Sequence, residues 1–360
     1  MPHPRLDNKT PYVVEPLFFD DEDGDPVLVV VAKATFELQA YRQLALLEEQ
    51  PGLDLAGTCY GEDPETSCYR YEPEVAPFKP ATDVVAIGHA HATRPQTTAV
   101  DVGLQVGPLR KVARVFGERA WYRSVADFLL TPPRPFERMP ITFERAFGGW
   151  DRSSPDPAHH ACEPRNPVGR GFHGRHAVEH KDDLAPNVED PQHLIREHRD
   201  HPAPVSLGFT SPHWHPRASL AGTYDEVWDQ TRKPRLPRDF DLRYFNAAPA
   251  GLVAAGYLRG DEGVQSVGLS PRGELRFALP GLPPPRMRAF LVGRPEPELA
   301  PRLDTVILDF DELRVTLLWR CRTKIPEGPH DVREIVAESP EALRFPRATT
   351  DSSSARPAAN

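Results

Sequence analysis

The chain has little cysteine, no long apolar run and no surplus of basic residues, and each shortage excludes something. Four cysteines in 360 residues, Cys59, Cys68, Cys162 and Cys321, are too few and too scattered for a disulfide framework, so free thiols are expected. The longest strongly apolar run, Val27 to Ala32, falls far short of the roughly 20 residues a membrane-spanning helix needs. The opening MPHPRLDNKT has no apolar core of the secretory kind, and a cytoplasmic location is the expectation. Lys and Arg number 43 against 52 Asp and Glu, a net charge of −9, which argues against nonspecific nucleic-acid or anionic-membrane binding. A protein or a small molecule is the expected partner.

Proline, by contrast, is abundant. The 42 prolines are more than twice the usual ~5% share, and proline is kept out of helix interiors and central strands, so long helices should be scarce. Hydrophobic residues at 39% and charged residues at 26% are those of a globular chain able to bury a core. YVVEPLFFDDEDGDPVLVVVAKATFEL reads as two strands around an acidic tip, with Asp23-Gly24 at the turn and a second strand apolar enough for the inside of a sheet. The Pro-rich, aromatic stretch before Lys79 reads as an extended loop over the sheet. DVVAIGHAHA, VDVGLQVG and LRKVARVFGERAWY alternate with period 2, so the first 125 residues suggest one meandering sheet. GVQSVGLS, GELRFALPG and MRAFLVGR are further strands, and LDTVILDFDELRVTLLWRCRTKI is a hairpin with Asp311 and Glu312 near its turn.

The fold class is therefore mainly β: antiparallel sheets in a sandwich-like body, with long ordered Gly/Pro-rich loops and few short helices. The working division is an N-terminal antiparallel β lobe over 1–130, a motif-rich loop region over 131–262, C-terminal strands over 263–345 and a disordered tail over 346–360. The proline-dense TPPRPFERMP is the best boundary candidate.

Between Ile141 and Pro249 the sequence concentrates glycine, proline, asparagine, arginine and aromatic residues. In FERAFGGWD, Gly148 and Gly149 permit positive backbone angles, and Arg145 and Asp151 are placed to pin the turn by a charge-assisted hydrogen bond. In NPVGRGF, Asn166 before Pro167 favours a turn, Gly169 and Gly171 allow close backbone approach, and Phe172 anchors the loop. This is either a binding loop or a long structural loop held by its own side chains. Thr223 or Asp225 caps a short helix on which Tyr224 and Trp228 share a face. Asp239 and Asp241 alternate with Phe240 and Leu242, so on a strand both carboxylates face the side of Arg243.

The run RYEPEVAPFKPATDVVAIGHAHA, VGPLRKVARVFGERAW, FERAFGGWD, NPVGRGF, PNVEDP, AGTYDEVW, LPRDFDLRYFNAAP and GDE resembles, in that order, domain-of-unknown-function family 2169 over residues 12 to 335. The resemblance implies an effector adaptor or chaperone of bacterial type VI secretion, acting between a toxic effector and the spike proteins VgrG and PAAR. Under that expectation there are no catalytic residues and no cofactor. Partner-binding residues are expected at Arg145, Gly148, Gly149, Asp151, Asn166, Gly169, Gly171, Phe172, Asn187, Trp214, Arg217, Tyr224, Asp225 and Trp228.

Two alternatives come from chemistry. Ten of the fourteen histidines lie between His159 and His215 (His159, His160, His173, His176, His180, His193, His198, His201, His213 and His215), with Cys162 beside a pair of them. Their spacing matches no recurrent zinc pattern, so no metal site is expected. Carboxylates at Glu144, Asp151, Glu189, Asp190, Asp225, Glu226, Asp239, Asp241, Asp261 and Glu262 would allow a metal-dependent or carboxylate-based hydrolase. No nucleophile elbow or phosphate-cradling glycine run accompanies them.

Overall fold

The computed structural model describes residues 4–39, 43–125, 128–178 and 183–340. His180 and the tail from Pro346, for which disorder was expected, lie outside the described residues.

Pro26–Gln39 is the longest strand and the axis of the structure. Its run from Val27 to Phe36 is buried on both faces, which is what a β-branched apolar strand requires of its neighbours. Those neighbours are Val13–Asp20 on one side and Arg314–Lys324 on the other, followed outward by Arg302–Asp309 and Asp83–Ile87. The first pair is the expected hairpin. Its acidic tip closes on itself: Asp21 Oδ1 accepts from the Asp23 and Asp25 amides at 3.0 and 2.9 Å, and Lys324 bridges Asp21 and Asp25. The Arg302–Asp309/Arg314–Lys324 hairpin also forms as expected.

A second sheet runs Val188–Glu189, Leu109–Phe116, Ala99–Val106, Gly263–Ser270, Gly273–Ala278. A third pairs Arg5–Lys9 in parallel with Val332–Glu338, then adds Arg286–Leu291 and Glu298–Leu299. The two larger sheets contribute to one continuous hydrophobic core. The protein is mainly β, most strand pairs are antiparallel, and Glu226–Thr231 is the one α-helix among the described residues. No helix among them is long and apolar enough to cross a membrane.

The single meander expected of the first 125 residues does not form. Asp83–Ile87 instead joins Arg302–Asp309 in parallel, and Ala99–Val106 is flanked by Leu109–Phe116 and Gly263–Ser270. Alternation reports that a strand has a buried face without naming its partner. A strand buried on both faces must recruit neighbours from wherever the chain supplies them.

The loop before Lys79 lies over the central sheet, as expected, and charged pairs tie it there. Lys33 donates to Glu74 at 2.7 Å, and Arg320 donates to Asp304 at 2.6 Å and to the Ala76 carbonyl at 2.6 Å. Lys79 reaches Asp83 at 2.8 Å, whose other oxygen accepts from Asn246 at 2.9 Å. Each cation is buried, so each needs its partner.

Candidate functional site

The motif loop is built around Asn166, which has no exposed surface. Its Nδ2 donates to the Phe143 and Phe147 carbonyls at 2.7 and 2.9 Å, while its own carbonyl accepts from the Gly149 and Gly169 amides at 2.8 and 3.2 Å. Three of these bonds tie FERAFGGWD to NPVGRGF, and the fourth, from Gly169, closes NPVGRGF on itself. Phe147–Gly148 then pairs in parallel with Arg170–Gly171, and Trp150–Asp151 pairs antiparallel with Ala161–Cys162.

The glycines are needed for space as well as angle. Gly148, Gly149 and Gly171 have φ of 150°, 97° and 85°, and a Cβ on Gly149 would stand 2.4 Å from the Gly169 carbonyl oxygen. At Gly169 a Cβ would meet Asn166 Nδ2 at 2.4 Å.

Arg145 and Asp151 do not pair, contrary to the expectation. Arg145 donates to Glu118 and, at 3.3 Å, to Asn187 Oδ1; Asp151 accepts from Ser153 Oγ at 2.6 Å and from the Gly174 amide at 2.8 Å. The sharp turn at Gly148-Gly149 carries the two side chains to different neighbours. Buried Asn187 clamps the adjacent sheet, donating to the Phe116 carbonyl at 3.1 Å. Trp214 is buried edge-to-face against Phe143 at 5.2 Å. Arg217 is buried too, donating to Glu72, to the Thr210 carbonyl and, at 3.0 Å, to the Tyr244 carbonyl. Half-buried Phe172 packs on Phe147 and His201.

The strand expected at Asp239–Asp241 is absent. Leu242–Phe245 is a 3-10 turn whose N-cap is Asp241, bonded to the Arg243 amide at 2.9 Å, while Asp239 accepts from Thr223 at 2.7 Å. An alternating Asp-x-Asp pattern also suits a capped turn. The short helix forms where expected, with Asp225 accepting from the Trp228 amide at 2.8 Å. Its aromatic pair meets edge-to-face at 4.7 Å on the outside of the molecule: Tyr224 is 53% exposed, and Trp228 fixes its indole on the Arg235 carbonyl at 2.8 Å.

These loops enclose a cleft of about 550 Å³ that includes Gly148, Gly149, Asp151, Gly169, Gly171, Phe172 and His173. Trp150 also lines it. This residue was passed over in the sequence, and it separates the cleft from a second of about 640 Å³ lined by Glu65, Thr66, Pro167, Val168 and His213. Trp150 is 51% exposed, and the Arg152 guanidinium lies over its ring at 4.7 Å. An exposed Trp beside an Arg, on a loop this tightly braced, was signalled only by its place next to the double glycine.

The ten candidate carboxylates are spread over separate local contacts. Glu144 accepts from the Cys68 amide at 2.7 Å, Glu189 from Arg119 and the Ile195 amide, and Asp190 from His193 at 3.0 Å. Asp261 pairs with Arg259, Glu262 accepts from the Arg259 and Gly260 amides, and Glu226 accepts from Gln230. All ten, including Asp151, Asp225, Asp239 and Asp241 above, are engaged in local bonds.

The histidines divide. His159 stacks on His176 at 4.1 Å, His160 bonds the Ser154 carbonyl at 3.1 Å, and Cys162 pairs through its backbone with Trp150. His173 and His198, with Asp183, instead bring one ligand-type atom each to within 4.8 Å of one another. This trio could offer one ligand atom each to a metal ion, a grouping that the irregular spacing of the histidines does not signal. Asp183 was not singled out in the sequence at all.

The family model described as "Uncharacterized protein conserved in bacteria (DUF2169)" matches residues 23–320. The chain belongs to the DUF2169 family. No curated protein and no solved structure matches it. The matched span of this DUF2169 protein contains the central strand, the Asn166 clamp, both clefts and the histidine trio, and it ends before Val332–Glu338.

Proposed function

We propose that this DUF2169 protein is a non-enzymatic cytoplasmic adaptor or chaperone that binds a type VI secretion effector and loads it onto the VgrG/PAAR spike. The observation that supports the reading most is Trp150. It stands half exposed between two clefts with Arg152 stacked on it, while the polar residues around it are engaged in holding the loops. Trp and Arg on a rigid frame are the residue types that dominate protein-interface hot spots. Exposed Tyr224, just before the Glu226–Thr231 helix, and exposed Val227 on it offer a second apolar contact.

The test is co-expression with the effectors and spike proteins encoded by the native host. Trp150→Ala and Tyr224→Ala are expected to lower effector capture and secretion with the melting temperature unchanged, and the purified protein is expected to show no hydrolysis of nucleic acid, peptidoglycan or lipid. Normal effector capture by both folded variants would refute this surface as the binding face.

A hydrolase reading draws on one observation, the approach of His173, Asp183 and His198 beside the first cleft. Hydrolytic activity lost on His173→Ala in a folded variant would favour it over the adaptor.

A further inference from the structure

His173, Asp183 and His198 come from three separate segments of the loop region, and the fold holds each in place. His173 follows the Arg170–Gly171 strand, and its carbonyl accepts from His201 Nε2 at 3.0 Å. Asp183 is fixed through its backbone, whose carbonyl accepts the Trp121 amide at 2.9 Å. His198 is wedged between Trp121 and Phe128, with ring centroids 5.1 and 4.9 Å away. The two imidazoles lie 3.7 Å apart, centroid to centroid. Both are more than nine-tenths buried: His173 is 9% exposed and His198 8%.

His173 is under-satisfied as it stands. Among the described residues its buried Nδ1 has no hydrogen-bond partner, and its Nε2 is 3.5 Å from Asp183 Oδ2, beyond the length of an ordinary hydrogen bond. A buried polar atom left in this state points to a missing partner.

We propose that His173, Asp183 and His198 bind one divalent transition-metal ion of the Zn²⁺ type. Two imidazole nitrogens and one carboxylate oxygen suit zinc and its first-row neighbours, whereas calcium and magnesium prefer all-oxygen shells. Ligand atoms of a tetrahedral site with ~2.1 Å bonds stand about 3.4 Å apart, so the trio, whose atoms lie within 4.8 Å of one another, draws in by at most about 1.4 Å when the ion binds. The apolar wall of Trp121 and Phe128 lowers the local dielectric and strengthens each bond to the cation. Three protein ligands leave a fourth position. Because His173 and Asp183 also line the 550 Å³ cleft, that position opens toward it and takes water or an incoming donor group. The ion ties residues 173 and 198 together and so staples the loop that forms this side of the cleft. The site stands independently of the adaptor reading.

The experiment uses the full chain purified without an affinity tag, stripped by chelation and checked for folding by near-UV circular dichroism. Calorimetric titration with ZnCl2 is expected to give one ion per chain, with a rise of several degrees in melting temperature. Co²⁺ in place of zinc is expected to give the visible absorption of a tetrahedral site. Asp183→Asn and His198→Gln should abolish the stoichiometric binding, and a His159→Ala/His160→Ala/Cys162→Ala variant should keep it. Folded apo-protein that binds no zinc overturns the proposal, as does binding that survives both ligand substitutions or is lost with the control variant. Should the ligand variants not fold, the wild-type zinc and cobalt titrations decide by themselves.

Discussion

The carbonyl oxygen of Asn166 lies 2.1 Å from the point a Cβ on Gly148 would occupy. Gly148 also has φ of 150°, so a side chain there meets both an unfavourable backbone angle and a main-chain atom that cannot rotate away. Gly148→Ala should destabilise the protein by about 2 kcal/mol or more, given the costs of overpacking and positive-φ strain. Gly52, with nothing within 4 Å of its would-be Cβ, is the control, and Gly52→Ala should be nearly neutral. Urea unfolding of the two variants compares them. Equal midpoints would mean that the Gly148–Asn166 approach relaxes at little cost.

Arg320 and Asp304 form a second, independent brace. Their side chains are 4% and 2% exposed and meet at 2.6 Å. Asp304→Ala leaves a buried guanidinium uncompensated, and a loss of about 3–5 kcal/mol is expected. Adding Arg320→Met should restore only part of that, because Arg320 also donates to the Ala76 and Glu74 carbonyls, which then lose their partner. Chemical denaturation of the single and double variants gives the coupling. Full restoration would show that the loop before Lys79 does not depend on those carbonyl bonds.

The Asp151 carboxyl carries a pH signature. Burial by itself would push its pKa up, but bonds from Ser153 Oγ and from the Ser153 and Gly174 amides, with His173 nearby, outweigh this and hold it below the usual carboxylate range. A carboxyl depressed in the folded state gives its full stabilisation above the unfolded value of ~3.9 and loses it as pH falls through the folded value. Asp151→Asn should therefore cost about 1–2 kcal/mol at neutral pH, the scale of a few charge-assisted bonds, and the gap from wild type should narrow below pH ~4. Melting curves between neutral and acidic pH check the sign. A gap that widens on acidification would contradict it.

Much of the sheet structure was legible because period-2 alternation and turn residues are local signals. The acidic hairpin tip and the Asp225 cap follow from residues within four positions of one another. What was not legible depends on distance in sequence. The Arg145 partner Glu118 lies well upstream and is delivered by the fold, whereas Asp151, though close in sequence, is turned away by two glycines. The parallel pairing of Asp83–Ile87 with Arg302–Asp309 has no local trace. Asn166 was recognised as a turn former, but its four bonds to main-chain atoms show how far its role is architectural. The histidine trio was hidden because its members stand ten and fifteen positions apart, a spacing with no helical or hairpin logic.

Two tryptophans of the motif region separate architecture from recognition. Trp214 is 1% exposed and packed on Phe143, so Trp214→Ala should cost about 3–5 kcal/mol through the cavity it leaves. Trp150 contributes little to the core, and Trp150→Ala should change stability by no more than about 0.5 kcal/mol. Iodide should quench Trp150 fluorescence and leave Trp214 dark to the quencher, which is read as the difference in quenching between the wild type and Trp150→Phe or Trp214→Phe, the other three tryptophans being common to all. If Trp150 is the anchor of a bound effector, adding that effector should protect it from iodide while Trp214 stays as it was. Trp150 equally quenched with and without a bound effector would move the contact elsewhere, and the exposed Tyr224 and Val227 surface would be the next to probe.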